Sequence, residues 1–593
     1  MTIYTAPIRE MEFVLNEIAD LPAIAELPGY EEATEDLVSA ILEESGKFST
    51  ELLAPINQQG DIQGSKLQDG KVITPDGWKE AYTAYVEGGW GTLTFSEDDG
   101  GQGLPKILSV AVHEMWDSAN TAFSLCPMLT QGAINALLSH GTQELKDLLI
   151  PKLITGEWSG TMNLTEPQAG SDLSAVRTKA VPEGEHYLIT GQKIFITYGD
   201  QDLTENIIHL VLARVPGAPE GVKGISLFLV PKVKLDSDGN LLDQNDVVCT
   251  SLEHKMGIHG SPTAVLSFGD NGGAEGYLVG EENKGLIYMF TMMNAARLAV
   301  GLEGLGLAER AYQQARDYAK ERVQGQPIGI PGDKTAIIEH PDVRRMLMTM
   351  KSQIEAMRCL AYYTNGLLDK ASHSTDKEVG KKYYSLTELL TPVVKGWCTE
   401  TAVDVTSIGV QIHGGVGYIE ETGAAQHLRD ARITPIYEGT TAIQANALLG
   451  RKILHDKGET MQGLIESMQA LSAGLTHENL AVIRDNLNTG IEQLSHGVDW
   501  VLKAQEENPR LPAAASVLLL ELTGIVTAGW LMAKSAKVAQ EKLDSNDSEA
   551  SFYSAKVVTA DFYARHIMPR SHGLIAAILH GSEATLAFEL DQF

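Results

Sequence analysis

The chain has 593 residues, of which 43% are hydrophobic, and a formal net charge of −32. A chain of this length exceeds one simple core and predicts three or four domains. The composition is that of an ordinary globular protein, and the strong negative charge argues against nucleic acid and anionic membrane surfaces as partners.

The first part of the chain is predicted to be helical and the second part to be built of strands. Residues 1–160 carry helix-like apolar patterns at 31–51 and 107–125. Residues 161–283 change to short β-type runs bounded by Gly and Pro, which predicts a small antiparallel barrel or sandwich. These runs lie at 207–212, 224–230 and 263–268.

Helical patterns return from residue 284 to the end. Within 284–451, an apolar stripe recurs at helical spacing between 386 and 397. Pro392 inside this stripe predicts either a kink or a fresh helix capped by Thr391. Residues 452–593 predict an additional helical domain. Its interruptions are expected at 508–512 and 544–549.

The four cysteines are far apart in the sequence and form no Cys-x-x-Cys pair, which favours a reducing compartment over disulfides or zinc. The start of the chain has no targeting pattern, and no run of about 18 apolar residues occurs. We therefore expect a cytoplasmic protein with no membrane span and no metal site. The cysteines are Cys126, Cys249, Cys359 and Cys398.

One carboxylate stands out because it lies in an apolar run and is followed by a glycine. The segment 436–442 reads Ile-Tyr-Glu-Gly-Thr-Thr-Ala, with Glu438 at its centre. Desolvation raises the pKa of a carboxylate and suits it to act as a base near neutral pH. The alternative is an ordinary helix start, with Thr440 as its cap and Glu438 exposed beside it.

Three segments in register resemble the signatures of the acyl-CoA dehydrogenase family. They are 162–172, 411–418, and 429–432 with the Glu438 segment, in the family's order. The resemblance runs from about residue 30 to about residue 450. The start of the chain, the stretch 90–105 and the long C-terminal tail are similar to the large bacterial branch, which includes 3-methylmercaptopropionyl-CoA dehydrogenases and broad fatty acyl-CoA dehydrogenases.

The resemblance implies a multidomain α+β fold. It comprises an N-terminal helical domain, a central antiparallel β-barrel domain and a C-terminal four-helix bundle, plus the additional helical domain. It also implies the FAD-dependent α,β-dehydrogenation of an acyl-CoA thioester to the trans-2-enoyl-CoA, as in the first step of fatty-acid β-oxidation. Electrons would pass to an electron-transfer flavoprotein, and the protein would be a homodimer or homotetramer.

The resemblance assigns Glu438 as the base that takes the α-proton. Its backbone N–H, together with a ribityl hydroxyl of FAD, would bind the thioester oxygen. The flavin ring would be contacted by the backbone of Leu164 and by the hydroxyls of Thr165 and Thr197. Phe195 stands where the family has Trp; it can still cover a ring face but has no indole N–H.

The remaining implied contacts fall at the diphosphate of FAD and at the substrate. The chain reads Arg-Val-Gln-Gly-Gln from residue 322, where many relatives read Arg-x-x-Phe-Gly, so the aromatic residue is missing. Asn294 replaces the acid of the family's Asp-x-x-Arg but can still donate and accept hydrogen bonds. The implied FAD residues are Arg322, Gln324, Gln411, Gly414, Gly415 and Thr440, with Gln411, Gly414 and Gly415 reaching a neighbouring subunit's FAD. The implied substrate residues are Ser171, Asn294, Arg297 and Gly439.

Several functions remain open from the sequence. A straight-chain fatty acyl-CoA is favoured as substrate, and 3-methylmercaptopropionyl-CoA, from dimethylsulfoniopropionate catabolism, is the alternative. An oxygen-using acyl-CoA oxidase cannot readily be separated by sequence, because it differs in how the occupied site excludes oxygen. A non-catalytic, DNA-binding flavoprotein is disfavoured, since residues 452–593 hold 11 basic and 18 acidic residues.

Overall fold

The computed structural model describes residues 4–329 and 331–593. The first three residues, on which the expected absence of a targeting segment partly rests, lie outside this range. The chain forms two compact units. Unit 1 contains the chain up to Gly46 together with Pro105–Ser118 and Val300–Phe593, and unit 2 contains Lys47–Leu104 and Ala119–Ala299. The four predicted domains do not coincide with these units and stay a prediction.

The first 160 residues are mainly helical, as predicted. A short hairpin, β1 Lys66–Gln68 and β2 Lys71–Ile73, was not anticipated, although the Asp69-Gly70 turn between its strands is a recognised hairpin signal. Asn120 has non-helical backbone angles and interrupts the long helix α6, Lys106–His140. The helices are α1 Ile8–Phe13, α2 Leu21–Ala25, α3 Glu35–Phe48, α4 Ala54–Gln63, α5 Trp78–Glu87, α6 Lys106–His140 and α7 Gln143–Thr155.

The predicted β domain is confirmed as an eight-stranded sheet within unit 2. Its strand order is β10-β11-β5-β12-β7-β6-β3, with β4 paired to β5, while β8 and β9 form a separate pair. The strands are β3 Trp158–Asn163, β4 Lys179–Glu183, β5 His186–Thr197, β6 Asn206–Ala213, β7 Ser226–Pro231, β8 Val233–Leu235, β9 Leu241–Gln244, β10 Val247–Leu252, β11 Thr263–Phe268 and β12 Ala274–Leu278. The pairing is antiparallel except that β3 runs parallel to β6, which the sequence pattern does not reveal.

The sheet is buried on both faces at strand β6, which lies next to the edge strand β3. Every residue of β6 is buried. Ile208 and Leu210 join a core cluster on one face, whereas Val211 and Ala213 join a second cluster on the other face. This alternation follows from the two-residue repeat of a strand. A strand covered on both faces shows a continuous apolar run, which is why the pattern at 207–212 is so pronounced.

The second half of the chain is helical, as predicted. The apolar stripe at 386–397 lies in one continuous helix that includes Pro392, and the Thr391 hydroxyl donates to the Thr387 carbonyl within it. Thr391 therefore does not cap a new helix. The helices are α8 Gly285–Glu321, α9 Pro341–His373, α10 Lys377–His413, α11 Ala424–Ala431, α12 Thr441–Asn446, α13 Glu459–Ala473, α14 Ala481–Glu507, α15 Arg510–Asp544, α16 Ala550–His566 and α17 Arg570–Thr585.

Two of these helices, α8 and α15, are long and apolar enough to cross a membrane by length and composition alone. Half of the most apolar window of α8 and two-thirds of that of α15 are buried inside the protein. Buried core helices meet the same criteria, so the absence of a membrane span stays a prediction. The predicted interruptions of the C-terminal tail are confirmed, because α14 ends at Glu507 and α15 ends at Asp544.

A buried ion-pair network ties the C-terminal tail to the rest of unit 1. Lys556 of α16 donates to Glu355 of α9 at 2.9 Å and also bonds Glu10 of α1. Lys351 pairs with Glu355 at 2.5 Å. Burial alone would raise the pKa of Glu355, but the charges of Lys556 and Lys351 outweigh burial and lower it to about 2. The network therefore holds an ionised carboxylate in the core, where losing a partner is costly.

We predict that Lys556→Met destabilises the protein by about 3 kcal/mol, because Glu355 and Glu10 lose a buried counter-charge. Lys537→Met is the matched control: Lys537 forms a more exposed pair with Glu541, and its loss should cost no more than about 0.5 kcal/mol. Denaturant unfolding followed by circular dichroism measures both changes. Equal effects of the two substitutions would contradict the importance of the buried network.

Candidate active site

Glu438 lies in a tight, strained turn of unit 1. Its φ is +54° and that of Gly439 is +93°, so two successive residues have left-handed backbone. For a residue with a Cβ this conformation costs of order 1–3 kcal/mol and persists only where the surroundings enforce it. The φ of +93° favours glycine at residue 439, and a Cβ there would lie 2.7 Å from the Gln444 amide nitrogen, so the Gln444 side chain would have to shift.

Hydrogen bonds from the following helix hold this turn. The Gln444 side chain donates to the carbonyls of Glu438 and Gly439 at 3.2 and 3.1 Å. The Thr440 hydroxyl accepts from the backbone N–H of Ile443 at 3.3 Å and caps α12. Both interpretations of the segment therefore hold in part: Thr440 is a helix cap, and Glu438 is a half-buried residue in a strained turn.

Behind Glu438 lie buried polar residues that sequence reasoning missed. The Tyr437 hydroxyl donates to Glu303 of α8, and Glu303 is 1% exposed. Lys395 of α10 is fully buried and donates to the Thr434 carbonyl at 2.7 Å. Glu303 and Tyr437 are 134 positions apart, and no motif links them.

Within unit 2, the two segments assigned to the flavin ring lie side by side. The Ile194 N–H donates to the Thr165 carbonyl at 2.9 Å, and the Lys193 ammonium donates to the Leu164 carbonyl at 3.0 Å. Thr197 is half-buried at the end of β5 and pairs with Thr263 of β11. The structure thus brings together Leu164, Thr165, Phe195 and Thr197.

Phe195 is exposed through a β-bulge. The register between β5 and β11 shifts around this residue, its φ is +59°, and its side chain is 59% exposed. Bulges occur next to active sites, where they redirect a side chain. The segment 193–197 lies in a half-buried strand, as the alternative interpretation has it, but the bulge departs from an ordinary strand and turns the Phe195 ring outward.

A buried ion pair lies beneath these segments. Lys193 is fully buried, and its ammonium lies 2.8 Å from Glu166. Glu166 also accepts hydrogen bonds from the Thr178 hydroxyl and the Arg177 backbone N–H, at 2.6 and 2.8 Å. Burial alone would raise the pKa of Glu166, but Lys193 and these hydrogen bonds outweigh burial and lower it to about 2.

The residues assigned to the substrate lie at different depths. Ser171 is exposed on the loop after β3, and Asn294 is half-buried on α8. Arg297 is buried: its guanidinium donates to the Asn294 side chain at 3.1 Å and lies 5.9 Å from the centre of the Phe290 ring. The Asn294–Arg297 contact keeps the spacing of the motif, with an amide in place of the acid.

The residues assigned to the FAD diphosphate lie at one end of unit 1. Arg322 and Gln324 are exposed on the segment after α8, where the Gln324 N–H donates to Thr335. Gln411, Gly414 and Gly415 are exposed at the end of α10, and a Cβ on either glycine would meet no atom within 4 Å. The ring of His413 stacks on that of Tyr318 at 4.5 Å, which joins the ends of the two helices.

His413 is a packing residue, buried and bonded to the Gly409 carbonyl at 2.7 Å. Burial lowers its pKa. Across residues 4–329 and 331–593, no group of three or more His, Cys, Asp or Glu side chains could hold a metal ion.

Comparisons with known proteins decide the family. Models of the N-terminal, middle and C-terminal domains of acyl-CoA dehydrogenase match residues 39–157, 161–271 and 283–453. A model described as acetyl-CoA dehydrogenase C-terminal like matches 459–589. The 3-methylmercaptopropionyl-CoA dehydrogenase of Ruegeria pomeroyi is 49% identical over 95% of this chain and 96% of its own length. The chain belongs to the acyl-CoA dehydrogenase family.

Two further similarities extend this result. A butyryl-CoA dehydrogenase of Syntrophomonas wolfei is 36% identical over 97% of each chain. A Bacillus anthracis acyl-CoA dehydrogenase, solved in complex with FAD, superposes with a TM-score of 0.75 at 23% identity, covering 96% of this chain and 92% of that chain. The protein is thus an oxidoreductase with acyl-CoA dehydrogenase activity, and its fold class, including the extra C-terminal helical domain, is that of the family.

Sequence reasoning missed the residues that support this acyl-CoA dehydrogenase site from within. Lys193 carried one usable signal, since a lysine at an inward position of an apolar strand must find a buried anion. Glu166 lies inside the recognised motif, but only the fold shows that it faces Lys193.

Glu166 should make the stability of the protein depend on pH. Its folded pKa lies below the unfolded value of 4.5, so its contribution is complete above pH 4.5 and is lost as the pH falls towards 2. Glu166→Gln should lower the unfolding midpoint at pH 7, and the gap to wild type should narrow below pH 4.5. Glu183→Gln, an exposed acid on β4, is the control and should show no gap. A gap that stays constant from pH 7 to 3.5 would contradict this account.

Proposed function

We propose that the protein catalyses α,β-dehydrogenation of a short acyl-CoA thioester, with Glu438 as the base. The observation that supports this role most strongly is the strained turn, in which Glu438 is a non-glycine residue with positive φ pinned by Gln444. Backbone strain of this kind clusters at functional sites, where it fixes the direction of a side chain. The family assignment supplies the reaction.

The chemistry requires a base and a polarised carbonyl. The α-proton of a thioester is weakly acidic, so it is removed only where developing enolate charge is stabilised. Glu438 would take this proton at its carboxylate, and its backbone N–H would donate to the thioester oxygen. Gly439, with no side chain, would let the thioester approach the backbone closely.

FAD is proposed as the cofactor, and the residues present suit it. When bound, FAD supplies the two-electron acceptor that side chains lack. In unit 2, the outward-facing Phe195 would cover a ring face, while Leu164, Thr165 and Thr197 would contact the ring edge. Phe195 is 59% exposed on the bulge, so its ring is accessible for contact with a flavin face.

The ADP half of FAD is proposed to lie against the end of unit 1 that carries Arg322. The Arg322 guanidinium and the Gln324 amide are donors suited to a diphosphate, and the Gln411 amide with the open backbone at Gly414 and Gly415 would offer donors to the ADP half of a neighbouring subunit's FAD. Thr440, whose hydroxyl accepts from Ile443, retains its own O–H for the cofactor. By the family pattern Gln411, Gly414 and Gly415 serve a neighbouring subunit, so we propose a homodimer or homotetramer.

The substrate is proposed to be 3-methylmercaptopropionyl-CoA, with a short straight-chain acyl-CoA as the second candidate. The relative named for the thioether ester is 49% identical, whereas the relative named for butyryl-CoA is 36% identical. The two acyl groups are similar in shape, since sulfur replaces one chain carbon, and each buried methylene contributes only about 0.8 kcal/mol. Ser171, Asn294 and Arg297 are the proposed CoA contacts.

The proposed electron acceptor is an electron-transfer flavoprotein, and this proposal rests on the family resemblance alone.

The proposed location is the cytoplasm. A reducing compartment suits the four cysteines, which are all free and buried.

We predict that Glu438→Gln retains FAD but bleaches its flavin with acyl-CoA about 10²–10⁴-fold more slowly than wild type, because the amide cannot accept the α-proton. Glu459→Gln, an exposed acid at the start of α13, is the control and should match wild type. Stopped-flow absorbance under anaerobic conditions measures the rate. A variant that bleaches as fast as wild type would remove Glu438 from the base role.

A further inference from the structure

The residue before the proposed base is anchored to a buried acid. The Tyr437 hydroxyl donates to Oε2 of Glu303, which is 1% exposed on α8. The second carboxyl oxygen of Glu303, Oε1, is buried and has no hydrogen-bond partner within the described residues. Among the described residues, Glu303 thus makes one hydrogen bond, and its partner is the neighbour of Glu438.

The surroundings of Glu303 favour an uncharged carboxyl group. The charged and titratable groups facing it are Asp117 on α6, Lys395 on α10, and Tyr437 and Glu438 on the turn. Burial, and then Asp117, raise the pKa of Glu303 well above its usual value. Burial and Glu303 likewise raise the pKa of Tyr437. An ionised carboxylate in the core also needs several donors, and Oε1 lacks one.

The strained turn needs support on both sides. On the C-terminal side, Gln444 bonds the carbonyls of Glu438 and Gly439, and the Thr441 hydroxyl donates to Glu400 at 2.5 Å. On the N-terminal side, the Tyr437 side chain reaches back to α8. A residue with positive φ relaxes when either flank is free to move, because its conformation is enforced only by its neighbours.

We propose that Glu303 is a positioning residue for the base: it anchors Tyr437 and thereby holds the strained backbone at Glu438. This inference rests on the proposed function of Glu438. Glu303 acts as an uncharged acid, so it fixes the turn without placing a second negative charge beside the base. A charged Glu303 would disfavour ionisation of Glu438 and raise its pKa.

The test compares three single variants and one double variant with a matched control. Glu303→Leu removes the acceptor, Tyr437→Phe removes only the hydroxyl, and Glu303→Gln keeps a neutral partner of the same shape. Tyr563→Phe on α16 is the control, because it deletes another buried hydroxyl, which donates to the Ile525 carbonyl of α15 at 3.1 Å. Each purified holoenzyme is mixed anaerobically with the ester that bleaches the wild-type flavin best. The rate of flavin bleaching and the ester concentration that gives half the maximal rate are measured across a range of pH.

We expect Glu303→Leu and Tyr437→Phe to lose about 10–100-fold in the bleaching rate. The ester concentration for half-saturation should change much less, and the flavin content should equal that of wild type. The double variant that combines Glu303→Leu with Tyr437→Phe should be no slower than the slower of these two single variants, because both substitutions break the same interaction. Glu303→Gln should recover most of the rate lost in Glu303→Leu and leave the acid limb of the pH profile in place. Tyr563→Phe should react like wild type.

Four results would overturn the inference. Wild-type rates in both Glu303→Leu and Tyr437→Phe would show that the anchor does not position the base. A Glu303→Gln variant as slow as Glu303→Leu, or with its acid limb moved to lower pH, would show that Glu303 acts as an anion. Flavin loss in Tyr437→Phe would indicate a purely structural role. If no ester bleaches wild type, the proposed function fails instead, which the wild-type control reveals separately.

Discussion

The left-handed backbone at Glu438 and Gly439 is the constraint on which the proposed chemistry depends. A carboxylate on a relaxed helix start would sample many directions, whereas this turn fixes one. The cost of the turn, of order 1–3 kcal/mol, is offset by local hydrogen bonds from Gln444 and by the contact between Tyr437 and Glu303. Unit 1 therefore devotes buried polar groups from α8, α10 and α12 to one short segment.

Buried charges organise other parts of the molecule in the same way. Lys193 and Glu166 join the loop after β3 to strand β5 within unit 2. In unit 1, Lys556 joins the additional C-terminal helices to α9 and α1. Such pairs contribute specificity of arrangement more than net stability, because desolvation offsets much of the Coulomb energy. The hypothesis for this protein is that they keep the positions of site-bearing segments fixed.

Much of the fold was predictable because it depends on local patterns. The strands at 207–212 and 263–268 and the interruptions at 508–512 and 544–549 follow from period and from turn residues. The bulge at Phe195 and the parallel pairing of β3 with β6 were not predictable, since both depend on partners distant in the chain. Pro392 did not begin a new helix, because the buried stripe around it outweighs one lost backbone hydrogen bond.

The residues of the candidate site also fall into a group that local sequence patterns predict and a group that only the fold reveals. The motif residues Glu438, Thr165 and Arg322 were found from the sequence, because they belong to contiguous signatures. Glu303, Lys193 and Lys395 support those segments from distant positions, so only the fold reveals them.

The most direct test of the central claim is an anaerobic absorbance titration of the purified wild-type protein. The esters would run from butyryl-CoA to palmitoyl-CoA and include 3-methylmercaptopropionyl-CoA. The account predicts a yellow protein whose oxidised flavin band bleaches, with 3-methylmercaptopropionyl-CoA or a short straight-chain ester the most effective. A yellow protein that no ester bleaches would contradict the proposed dehydrogenation, and strongest bleaching by palmitoyl-CoA would contradict the short substrate.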